Sequence, residues 1–241
     1  MDELIIQRAD GVLDMTLNRP AKMNALSADL IEALHAELDR ADVDGTRLVV
    51  FRGEGKNFSA GFDFGGYESQ SEGDLVLRFV RIEQLLQRVY HASYDTLAFA
   101  QGRNFGAGVD LFAVCNRRVA AAEASFRMPG LGFGLVLGSR RFAGLVGESW
   151  ARQVLHEGVT FDAPEAHARG FVTALASTDA WPSERERALR AMHGLGADAT
   201  TRLFRVTHSD TRAADMAELV ASAARPGLSG RLRAYREALG K

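Results

Sequence analysis

Two stretches decide how this chain is read: Asn57-Phe58-Ser59-Ala60-Gly61-Phe62-Asp63 and Gln101-Gly102-Arg103-Asn104-Phe105-Gly106-Ala107-Gly108-Val109-Asp110-Leu111. Each is rich in small residues. Each follows an apolar run that reads as a strand, Leu48-Val49-Val50-Phe51 for the first and Thr96-Leu97-Ala98-Phe99-Ala100 for the second. Glycine and alanine after a strand let the backbone approach a ligand or another backbone closely, because little side chain stands in the way. Two such loops facing one another offer two backbone N–H groups to one oxygen, the arrangement that stabilises a developing oxyanion.

The rest of the chain supplies the frame for these loops. Leu13, Met15 and Leu17 alternate with Asp14, Thr16 and Asn18, which predicts a half-buried strand. Leu4 to Arg8 is its expected hairpin partner, turned at Asp10-Gly11. Ser27 is placed to cap a helix with Leu30, Ile31, Leu34, Leu38 and Ala41 on one face. Helical spacing recurs from Asp74 to Tyr90 and is expected from Gly106 to Asn116. Short strands are expected at Arg118 to Ala122 and Ser125 to Met128. After Gly138 the pattern is helical, with helices expected at 140–146, 149–156, 164–169, 183–192, 211–223 and 229–239. Strands alternating with helices, followed by helices alone, predict an α/β core with a helical C-terminal region.

Composition narrows the function classes. The 241 residues suffice for one large domain or two modest ones. A net charge of −2 gives no reason to expect a nucleic-acid partner. No run approaches the ~18 apolar residues of a membrane helix, so no membrane partner is expected. The acidic start Met1-Asp2-Glu3 lacks the features of a signal peptide, and a cytoplasmic location is expected. Cys115 is the single cysteine, which fits a reducing compartment, and it reads as a core filler. The six histidines have no metal-ligand spacing, so no metal site is expected.

The paired loops resemble those of the crotonase (enoyl-CoA hydratase/isomerase) superfamily, whose members bind acyl-CoA thioesters. The resemblance starts at Asn18-Arg19-Pro20 with Asn24-Ala25-Leu26. It runs through both loops to Phe126-Arg127-Met128-Pro129 and Gly134-Leu135, and ends near Val146-Gly147 and the 160–170 segment. It implies a spiral of ββα turns. It also implies a division into an acyl-CoA-binding core at 1–190 and a helical trimerisation region at 191–241, giving a homotrimer or hexamer. The cofactor expectation is none, apart from coenzyme A as part of the substrate.

The resemblance also implies site residues. The two amide donors of the oxyanion hole match Phe62 and Ala107. Lys22, Lys56 and the backbone at Ala60 match positions that meet coenzyme A, where cations suit its phosphates. Arg19 reads as structural. The first of the two glutamates of a family hydratase matches Asp110; the second, after the proline, matches Gly130. One carboxylate is therefore missing, and the other is a methylene short, withdrawing its oxygens by about 1.5 Å. Misplacement on that scale costs up to ~10²-fold in rate. Asp110 reads either as a base or as a first-turn carboxylate that satisfies helix amides. Asp63 is expected to brace its loop, Tyr67 and Glu68 to lie on a mobile surface loop, Arg140 and Arg141 to face solvent, and His35 to be solvated. Two functions follow: an acyl-CoA-processing enzyme, or an acyl-CoA-binding protein without turnover.

Overall fold

The computed structural model describes residues 2–240. Strands β1 (Leu4–Ala9) and β2 (Val12–Leu17) form the expected hairpin, with Asp10 at φ 51° and Gly11 at φ 75° in the turn. Two left-handed residues match the twist of a two-residue hairpin turn. β2 pairs in parallel with β3 (Leu48–Gly53), which continues to β4 (Asp95–Ala100), β6 (Arg117–Ala120) and β9 (Ala174–Leu175) in one six-stranded sheet. A second sheet of three short strands, β5 (Arg103–Phe105), β7 (Ser125–Arg127) and β8 (Thr160–Asp162), lies beyond the ends of β4 and β6.

Both faces of the large sheet are covered at β3 and β4, which is why those two strands read as continuous apolar runs. Val49 and Phe51 join the main core with α1 (Ala28–Ala41), α2 (Glu72–Tyr90) and α3 (Ala107–Ala113). Leu48 and Val50 point the other way, against Trp181, Ala188 and Met192 of α7 (Trp181–Gly194). Ser27 caps α1 as expected, its Oγ accepting from the Leu30 amide at 3.0 Å. The remaining helices are α4 (Ser139–Val146), α5 (Glu148–Glu157), α6 (Ala163–Ala168), α8 (Ala197–Thr207), α9 (Arg212–Ala223) and α10 (Leu228–Ala238).

Several expectations are corrected. The helix expected at 106–116 ends at Ala113, and Val114-Cys115-Asn116 turns directly into β6. α8 is not among the expected helices, and none of its residues is buried. Tyr67 is buried, with Phe64 edge-on at 5.9 Å, so its segment packs as part of the core. His35 is buried between α1 and α2, its Nε2 3.1 Å from the Arg81 carbonyl. A single ring can lie on the less apolar side of a helix and still be covered when the neighbouring helix is as long as α2. Cys115 is buried and free.

Candidate active site

The two small-residue loops meet. Gly61 has φ 75°, and a Cβ added there would lie 2.4 Å from the Phe105 carbonyl oxygen and 2.9 Å from the Ala107 nitrogen. A Cβ at Gly108 would lie 2.6 Å from the Ser59 carbonyl oxygen. Only glycine permits this approach. The Phe105 amide donates to the Ser59 carbonyl at 3.1 Å, joining the loops directly. Asn104, fully buried, accepts from the Phe58 and Ser59 amides at 3.1 and 3.3 Å. Sequence alone gives Asn104 no role: in β5, Arg103-Asn104-Phe105, it is one of two polar residues and nothing local marks it.

The N-terminal motif braces the same place. Asn24, left-handed at φ 54°, donates from its side chain to the Glu54 and Asn57 carbonyls. The Leu26 amide donates to the Gly61 carbonyl at 2.7 Å, and the Asp63 amide donates back to Leu26 at 3.3 Å. This short parallel bridge fixes Phe62 while leaving its amide out of the pairing. Among the described residues, neither the Phe62 nor the Ala107 amide has a protein acceptor. Ala107 is the first residue of α3, where helix amides lack an internal partner and the dipole favours negative charge. Asp63 does brace its loop, accepting from Gly65 at 2.8 Å and pairing with Arg19 at 2.8 Å. Arg19 also pairs with Glu3, so it is structural.

These elements enclose a cavity of about 640 Å³. Lys22, Ala60, Phe62, Ala107, Asp110 and Gly130 all line it. Lys56 does not; it is exposed on the loop before Asn57. Much of the remaining lining is apolar, including Phe64, Leu131, Phe133 and Leu137. Among the described residues no cluster of His, Cys, Asp or Glu is placed to hold a metal ion.

Asp110 is 4% exposed, and that remnant opens on the cavity. Its backbone amide bonds to Gly106, but no donor among the described residues reaches its carboxylate. It does not satisfy helix amides with its side chain, which removes the capping reading. Its carboxylate lies where a side chain at position 138 would begin: a Cβ on Gly138 would fall 1.8 Å from Oδ1. Burial pushes the Asp110 carboxyl well above the ordinary carboxylate range; Arg141 opposes this and Glu83 adds to it. Arg141 does not face solvent. It is 7% exposed and forms a bidentate pair with buried Glu83 at 2.8 and 2.6 Å, with Asp215 at 3.2 Å. Arg140 pairs with the other oxygen of Asp215 at 2.8 Å. Glu83 and Arg141 stand 58 positions apart, so no local pattern announces their pairing.

The family model described as enoyl-CoA hydratase/isomerase matches residues 7–224. The chain belongs to the enoyl-CoA hydratase/isomerase family. A crystal structure of a family protein from Bordetella parapertussis is similar, with 52% identity, a TM-score of 0.95, and coverage of 97% of this chain and 98% of that one. The 2,3-dehydroadipyl-CoA hydratase of Escherichia coli (strain K12) is 33% identical over 76% of this chain and 71% of its own length. An enoyl-CoA hydratase structure from Bacillus halodurans, at 18% identity and TM-score 0.85, shares the fold. The crotonase-like α/β architecture expected from the loops is therefore the one the family adopts.

Proposed function

We propose that the protein acts on acyl-CoA thioesters through an enolate. The thioester carbonyl is received by the Phe62 and Ala107 amides, and Asp110 exchanges a proton with the carbon beside it. The observation that carries this reading is the junction at Gly61, which brings two partnerless amides to the wall of a cavity that also receives the Asp110 carboxyl. When an α-proton leaves, charge moves to the thioester oxygen, and fixed amide donors in a water-poor site stabilise it without reorganising. Ala60 and Lys22 would meet the coenzyme A moiety. Lys56, outside the cavity lining, would contribute only from the rim. No cofactor beyond the coenzyme A of the substrate is invoked. The helices after residue 190 would assemble a homotrimer or hexamer.

Hydration of a simple enoyl-CoA requires one group to activate water and another to protonate carbon. Gly130 supplies neither, so we expect that reaction to be slow and proton exchange or another single-carboxyl enolate reaction to be preferred. The empty position at Gly130 also supports a second reading, an acyl-CoA-binding protein without turnover. Solvent-deuterium incorporation at the α-carbon of a panel of acyl-CoAs, followed by mass spectrometry, separates the two. Wild type is expected to exchange and Asp110→Asn to lose ~10²–10⁴-fold in rate, the usual contribution of an acid–base group, with acyl-CoA binding retained. Binding without exchange in wild type would establish the second reading.

A further inference from the structure

The Glu83–Arg141 pair lies behind the cavity wall, outside the set of residues that touch the cavity. Burying a guanidinium and a carboxylate has a large desolvation cost, recovered only by close pairing. Here the pairing is complete on the carboxylate side: both Glu83 oxygens accept from Arg141, and Gln87 donates to one of them at 2.8 Å. Arg141 is further engaged by Asp215, which is itself held by Arg140 and by the Thr211 hydroxyl. Two arginines and two carboxylates thus balance without Asp110. Arg141 is nonetheless near enough to Asp110 for each to feel the other's charge. Gly138, whose missing Cβ makes room for the Asp110 carboxylate, directly precedes α4, which carries Arg141.

We propose that Glu83 is a positioning residue: by engaging Arg141 from behind, it withholds that guanidinium from Asp110 and leaves the cavity-facing carboxyl without an ion-pair partner. The inference rests on the proton-carrying role of Asp110. A carboxylate locked to Arg141 would be a weak base. A partnerless one in a dry wall binds its proton more tightly and, once ionised, removes a proton from carbon more readily. The charged groups facing Asp110 from packed elements are Arg141 on α4 and Glu83 on α2. Across the cavity the other ionisable lining groups are Lys22, Asp63, Glu68, Arg127, Tyr235 and Arg236.

The test is a direct titration of Asp110 by carbon-13 NMR of aspartate-labelled full-length protein, with Asp110→Asn assigning the signal. Wild type is compared with Glu83→Gln and Asp215→Asn. Removing either carboxylate leaves more of the Arg141 charge for Asp110, so the midpoint is expected to fall, by roughly one pH unit or more in Glu83→Gln. The fall should be smaller in Asp215→Asn, because Asp215 holds Arg141 by a single contact at 3.2 Å and both Glu83 oxygens remain on the guanidinium. An unchanged or raised midpoint in folded Glu83→Gln overturns the proposal. If Glu83→Gln does not fold, an unchanged midpoint in Asp215→Asn does so. The titration needs no turnover: absence of α-exchange in wild type would remove the proposed reaction, while the NMR midpoint still judges the role of Glu83.

Discussion

The two walls of the cavity are built differently. On one side Asp110 is buried, aimed into the cavity and backed by a paired ionic cluster. The other wall is at Gly130, which lines the cavity, matches by resemblance the second glutamate of a family hydratase, and offers only its backbone. A site with two carboxyl groups can split acid and base duties between them. A site with one must take and return the proton through the same group. The junction that we propose receives the oxyanion, between the Phe62 loop and the start of α3, is the floor on which both would operate. Under the proposed function, that floor with one wall favours proton exchange beside a thioester over addition of water.

The floor is the part most easily broken. In Gly61→Ala the new Cβ would meet backbone atoms of Phe105 and Ala107, which cannot rotate away. The loops must separate, and a displacement of this order costs ~10²-fold in rate. We therefore expect exchange to fall by at least that factor, with a lower melting temperature. Exchange at the wild-type rate in Gly61→Ala would show that the two amides need not be held together.

The bare wall can be rebuilt. A Cβ at Gly130 has one close neighbour, the Leu135 carbonyl oxygen at 3.1 Å, a contact that small backbone adjustments relieve. Gly130→Glu restores a carboxylate and is expected to raise crotonyl-CoA hydration by about tenfold, below the ~10²–10⁴ of an optimally placed acid–base group. Wild type hydrating crotonyl-CoA as fast as an efficient enzyme would contradict the contrast between the walls.

The smallest effect is on stability. Burial raises the folded-state pKa of Asp110 above its ordinary value of 3.8, so the folded state holds that proton more tightly than the unfolded state. Its contribution is fully favourable below 3.8 and is lost as pH rises through the raised folded value. Asn carries no such penalty. Asp110→Asn is therefore expected to match wild type near pH 4 and to exceed it at pH 8. Each kcal/mol gained corresponds to about 2–4 °C in melting temperature for a domain of this size. A variant that melts lower than wild type at pH 8 would mean that the Asp110 carboxylate is satisfied by partners.

Much of this organisation is legible in sequence because it is local. The hairpin turn at Asp10-Gly11, the Ser27 cap and the small-residue loops each depend on neighbours within a few positions. Phe62, Ala107 and Asp110 are placed only through the resemblance of the two loops to those of the crotonase superfamily, and all three line the cavity. The unread parts depend on distant residues. Glu83 looks like a polar interruption in α2 until Arg141 arrives from α4. Tyr67 reads as a loop residue because a group far away in sequence helps to cover it: the Arg236 guanidinium of α10 lies over its ring at 5.5 Å. β5 and β8, three residues each, are too short for a period to show.

The pH dependence of α-deuterium exchange, in wild type and Asp110→Asn with the best acyl-CoA of the panel, tests the central claim most directly. Proton removal needs the ionised form, so the wild-type rate should rise with pH through a midpoint well above 3.8. The variant should be flat and at least ~10²-fold slower. A wild-type midpoint near 4, or a variant that exchanges as fast as wild type, would contradict the assignment of the proton to Asp110.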